Sequence, residues 1–140
     1  MKKFARILCF VLLATLLCTV LASCGPAKDP ADAVAALEEA QYTVKKVDKK
    51  VDFSSYEKQG LTNLTCVIEA TKISEDKRTR DSIVIYYFAD KDSAETGFAR
   101  LQKIFEEDTQ KDAKEQSKYT LKQSGTMVYK GTEAAIKAAR

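Results

Sequence analysis

The sequence predicts a two-layer α+β domain: a mainly antiparallel sheet of about five strands with helices on one face. Three observations carry this. Between residues 42 and 89 three β-type segments follow one another with no helical segment between them, and strands joined without a crossover pair antiparallel. From Ala94 to Phe105 the apolar spacing changes to that of a helix. Ser124-Gly125 then separates two short β-type segments, as a hairpin turn would. The expected order is helix, three strands, helix, two strands, helix.

Asp29-Pro30 opens the first helix: Asp can cap, Pro suits the first helical position, and Asp32 complements the dipole. Ala33, Val34, Leu37 and Ala40 share one face, and the helix should end near Gln41, before Tyr42-Thr43-Val44. Tyr42 to Asp48 reads as a strand, with Val51 to Phe53 extending it or turning, and 54–60 as a loop. Leu61 to Ile73 reads as the second strand, with Leu64, Cys66, Ile68 and Ala70 alternating against Thr65, Val67, Glu69 and Thr71. A charged turn, Ser74 to Arg80, leads to the third strand, Ser82 to Ala89, which is apolar on both faces and therefore either central in the sheet or covered by a helix on one face and a partner on the other. Asp92-Ser93-Ala94-Glu95 fits a capping box, and Ala94, Phe98, Leu101, Ile104 and Phe105 form the stripe of the second helix. Its polar continuation, Glu106 to Lys118, is expected to fray. Tyr119 to Gln123 and Thr126 to Lys130 form the hairpin, and Thr132 caps a short last helix, Glu133 to Ala139.

The first two dozen residues stand apart from this domain. Met1 to Arg6 carry three positive charges, and Ile7 to Ala22 is an almost unbroken apolar run, shorter than the roughly 20 residues a membrane-spanning helix needs. Leu21-Ala22-Ser23-Cys24 follows. A basic start, an apolar stretch, then a large aliphatic residue, two small residues and a cysteine resemble the signal peptide and lipobox of bacterial lipoproteins. That resemblance covers residues 1–25. It implies diacylglyceryl transfer to the Cys24 thiol and cleavage between Ser23 and Cys24, leaving 1–23 as the removed signal peptide. It further implies a lipid-anchored chain at the extracytoplasmic side of the cell membrane, with membrane lipid as the partner of acylated Cys24. Two acyl chains anchor stably where one binds only marginally. Gly25 to Lys28 would be a short tether, and 29–140 the single domain, near the bilayer because so few residues reach only about 15 Å.

Cleavage would remove Lys2, Lys3 and Arg6 along with Cys9 and Cys18. The remaining chain is formally neutral, so it has no overall field to attract nucleic acid. Cys66 is then its one unmodified thiol and can form no internal disulfide. On an alternating strand such a cysteine behaves as a small hydrophobe.

Histidine is absent, which removes the usual general base, the histidine-activated nucleophiles and histidine metal sites. No cofactor motif and no metal-ligand spacing is found. Asp90-Lys91-Asp92-Ser93 lacks the further ligands and central glycine of a calcium loop. The acidic pairs Glu38-Glu39 and Glu106-Glu107-Asp108 read as solvated helix faces. Lys45, Lys46, Lys49, Lys50 and Lys58 form a basic cluster near the first strand, and Lys77, Arg78 and Arg80 another in the turn. Edge protection and solubility account for them, with contact to anionic headgroups as the functional reading. Tyr86 and Phe88 point to one side of their strand. They fill core unless helices cover only one face, in which case they make an aromatic binding surface. With Lys45 and Lys46 they are the candidate binding residues, and no catalytic residue is assigned. The expectation is a non-enzymatic, lipid-anchored module binding an envelope protein or glycan. The alternative is a small envelope enzyme that uses carboxylates without histidine, like a glycan hydrolase.

Overall fold

A computed structural model of the chain describes residues 25–48 and 52–140. The expected signal peptide, Ser23, Cys24, Lys49 and Lys50 lie outside the described residues. Five strands form one antiparallel sheet: β1 (Thr43–Asp48), β2 (Leu64–Ile73), β3 (Arg80–Phe88), β4 (Tyr119–Ser124) and β5 (Met127–Thr132), in the spatial order β1-β2-β3-β5-β4. The helices are α1 (Pro30–Glu39), α2 (Ser54–Glu57), α3 (Lys91–Lys111), α4 (Ala113–Gln116) and α5 (Glu133–Ala138). The chain leaves β3 through α3, lands on the far edge as β4, and turns back so that β5 fills the place beside β3. The α+β class and the element order are as expected, with two additional one-turn helices.

The helices do not share one face. Cys66, Ile68, Ala70, Ile83, Ile85 and Tyr87 pack with α1 and α5 through Ala33, Leu37, Ala135 and Ile136. The alternate strand residues Val67, Val84, Tyr86, Phe88 and Val128 pack with α3 through Ala94, Phe98 and Leu101. The sheet is therefore the middle of three layers, and the two-layer expectation is corrected. The reason lies in β3, whose residues are apolar at both odd and even positions and need cover on both sides. The chain supplies the second cover itself.

Three local departures from the sequence reading have clear causes. Leu64 pairs with Phe88 but Cys66 with Tyr87, so Thr65 is an extra residue in β2. This bulge moves Leu64 off the face of Cys66 and Ile68 and into the cluster of Val67 and Phe88. The Thr65 hydroxyl donates to the Tyr87 carbonyl at 3.2 Å and occupies the gap. The cap of α3 is Asp90, not Asp92: its carboxylate accepts the Ser93 N–H at 2.7 Å and the Ser93 hydroxyl at 3.0 Å. Finally, 106–118 does not fray. α3 continues to Lys111, and Asp112 ends it while capping α4 by accepting the Glu115 N–H at 3.0 Å.

The segment Gly25–Lys28, expected as a tether, is part of the domain. The Ala27 N–H donates to the Ala139 carbonyl at 2.7 Å, and the Tyr87 hydroxyl donates to the Ala27 carbonyl at 2.8 Å. Pro26 is buried, and Gly25 lies so close to the Tyr129 ring that a Cβ there would stand 3.1 Å from its hydroxyl oxygen. This strap crosses the face carrying α1 and α5 before Asp29 caps α1, accepting the Ala31 N–H at 2.7 Å.

Candidate functional site

Of the four residues that the sequence grouped as a binding surface, the structure keeps Tyr86 and Lys45 on one face and separates Phe88 and Lys46 from them. Phe88 is 4% exposed and lies under α3 against Gly97, so it is core. Tyr86 is half-buried beneath α2, its ring 6.3 Å from that of Tyr56 in an edge-on contact. Lys45 and Lys46 are neighbours on β1 and project to opposite faces; Lys45 lies 3.7 Å from Glu69. Lys58 follows α2, and Lys77, Arg78 and Arg80 are exposed around the β2–β3 turn. Tyr86 and Lys45 thus share a face and meet around Glu69, whereas strand alternation turns Lys46 to the other face and α3 covers Phe88.

A concave surface does form where the sequence was read as a frayed tail. The second half of α3 and edge strand β4 enclose a groove of about 610 Å³, lined by Phe98, Gln102, Phe105, Glu106, Thr109 and Leu121 among others. Leu121 faces it because β4 alternates: Tyr119, Leu121 and Gln123 turn toward α3, Thr120, Lys122 and Ser124 away. Phe105, which lines the groove, also meets the Lys130 ammonium, which sits 4.7 Å from the centre of its ring and 5.3 Å from that of Tyr119. Burial pushes the Lys130 pKa down, opposed by the nearby Asp108 carboxylate. Beside the groove, β4 pairs on one side only among the described residues, with β5. The groove therefore offers apolar contact, one partly desolvated cation and a line of backbone donors and acceptors, the set that an extended peptide uses to join a sheet. The amphipathic stripe of α3 was legible in sequence. That its outer part, with Phe105, would overhang an edge strand was not.

A second cluster surrounds Glu69. The Tyr56 hydroxyl donates to its carboxylate at 2.9 Å. Burial and that hydrogen bond push the Tyr56 pKa up, and burial with the Glu69 charge pushes Tyr86 up to about 12. Both phenols are held neutral, which suits a structural link between α2 and the sheet better than proton transfer. The carboxylates with displaced pKa values, Asp52, Asp76, Asp90 and Glu133, are all lowered, by hydrogen bonds from Ser54, Ser74, Ser93 and Lys137 respectively. A retained proton, as a general acid requires, is found on none of these four. Among the described residues no three of His, Cys, Asp and Glu come together as metal ligands. Cys66 is buried, and burial raises its thiol pKa, the opposite of an activated nucleophile.

No protein-family model, curated protein or solved structure matches the chain. The functional reading therefore rests on this chain's own residues.

Proposed function

We propose that the chain is a lipoprotein of the cell envelope, cleaved before Cys24, anchored by lipid on that cysteine, and acting without catalysis as a binding module. The observation that carries the anchor is the order of basic start, apolar run and Leu21-Ala22-Ser23-Cys24 at residues 1–24. Among the described residues no helix is long and apolar enough to cross a membrane. The groove between α3 and β4 supports the binding role, with an extended segment of an envelope protein as the ligand class that suits an open sheet edge beside an apolar trough.

Mass spectrometry of the N-terminal peptide tests the anchor: a diacylglyceryl-modified Cys24 is expected, and an intact leader or an unmodified start overturns it. Replacing Cys24 with Ala should abolish membrane association. A photo-crosslinker at Gln110, on the groove, tests the binding role. It should trap an envelope partner that the same probe at Lys77 does not. Identical products at both positions overturn the groove assignment. The alternative, a carboxylate-dependent hydrolase, needs two converging carboxylates with one raised pKa, and the lowered values of Asp52, Asp76, Asp90 and Glu133 give it no support.

A further inference from the structure

We infer that the lipid anchor leaves the fold with no slack, so that one face of the domain is held against anionic phospholipid headgroups: the α5 side of the β4–β5 hairpin, together with α5 and the Lys28 corner. This rests on the lipoprotein reading above and adds to it an orientation and a contact surface.

The argument starts from the strap. A lipoprotein domain on a free tether can turn in any direction. Here the residue after Cys24 is already on the domain surface. Gly25 lies against Tyr129, Pro26 is buried, and Ala27 is held through both of its backbone polar groups, by Ala139 at the end of α5 and by the Tyr87 hydroxyl. Consecutive Cα atoms stand 3.8 Å apart, so covalent geometry alone puts the acylated cysteine within one residue of the Tyr129 side. Acyl chains on that cysteine insert in the bilayer, and whatever surrounds their exit meets the headgroups first.

What surrounds the exit suits that contact. Tyr129 is shared between the strap and a groove of about 250 Å³ between α5 and the outward side of β4, which also includes Lys122, Lys137 and Arg140. Its one side-chain carboxylate, Glu133, is bound to Lys137 at 2.7 Å. Lys122 and Arg140 make no ion pair among the described residues. On the other flank, Lys28 borders a hollow of about 300 Å³ with Ser124, Gly125, Thr126 and Met127 at the β4–β5 turn. Asp29, next to Lys28 in the chain, and Asp32 are exposed at the start of α1 and close enough to Tyr87 to raise its pKa. The rim nearest the exit thus carries Lys28, Lys122 and Arg140, the last two without an ion pair among the described residues, against Asp29 and Asp32 at the start of α1, and these three cations are the groups that would meet phosphate-bearing headgroups. The same orientation turns the α3–β4 groove, on the opposite face of the sheet, away from the membrane and toward other envelope components.

The test uses the native lipidated protein in vesicles of phosphatidylglycerol and phosphatidylcholine. Lysines are acetylated briefly and read by mass spectrometry, each rate normalised to the same site in the denatured chain. Lys28 and Lys122 are expected to react at least about fivefold more slowly than Lys77 in the β2–β3 turn and Lys103 and Lys111 on α3, all five being exposed in the fold. Lys137 is left out of the comparison, since its pair with Glu133 slows it in any orientation. Equal rates at the five sites, or protection of Lys77 instead, overturn the orientation while leaving the anchor standing, provided the lipid is found on Cys24 in the same sample. A chain that carries no lipid and does not float with the vesicles overturns both.

Discussion

Gln41 carries the turn out of α1 at a cost. It sits at φ 65°, in the left-handed region, where its N–H donates to the Glu38 carbonyl at 2.9 Å while that of Tyr42 donates to Leu37 at 2.9 Å. This is a Schellman closure with glutamine where glycine is usual, and the Lys72 ammonium adds a hydrogen bond to the Ala40 carbonyl at 2.9 Å. Gln41→Gly should therefore raise stability by about 0.5–1 kcal/mol, read as a shift of the urea midpoint. The buried phenols set the alkaline limit. Burial raises the folded pKa of Tyr56, Tyr86 and Tyr87, with Glu69 adding to the first two and negative neighbours to the third. Groups raised in this way contribute fully below their unfolded pKa, about 10, and lose that contribution as pH rises through the folded value. Stability should be flat to about pH 8.5, begin to fall there because burial also raises the Cys66 thiol, and fall more steeply above about pH 10, with these tyrosines ionising last in an ultraviolet titration. Tyr56→Phe should reduce the fall.

At the scale of elements, α3 depends on Gly97. Ordinarily, alanine in place of a mid-helix glycine stabilises by up to about 1 kcal/mol. Here a Cβ would overlap the Phe88 ring, which uses the bare backbone to sit under the helix. Gly97→Ala should reverse the usual sign and destabilise by about 1–3 kcal/mol in thermal or urea unfolding. Gly131→Ala meets the Ile83 side chain at 2.9 Å in the centre of the sheet and should act the same way. The strap is weaker. Tyr87→Phe keeps the ring in the core and removes one hydrogen bond to Ala27, a loss of about 1 kcal/mol. Its distinguishing effect should be faster hydrogen exchange at the Ala27 amide with little change in the β3 ladder.

For the whole molecule, acid stability follows from Asp52, Asp76, Asp90 and Glu133, all lowered by hydrogen bonds that they accept. Carboxylates lowered in the fold contribute above their unfolded pKa and lose that contribution as pH falls through the folded value. Stability should hold from neutral pH to about 4 and decline below it. The amino-acid sequence by itself determined the strands, the two long helices, the hairpin and the α+β class. Those follow from apolar period, turn residues and caps, which are local properties read within a few residues. Tertiary structure alone decided the rest. The Leu64–Cys66 bulge depends on where Phe88 falls in the partner strand, and the helices divide between two faces because α3 crosses from β3 to the far edge. Gly25–Lys28, short and polar enough to pass for a tether, is held by Tyr87, Tyr129 and Ala139, residues 60 and more positions away. Neither the groove beside β4 nor the surface around the strap is a property of any one segment. Each exists only where distant parts of the chain close against one another, and no periodicity along the sequence encodes that distance.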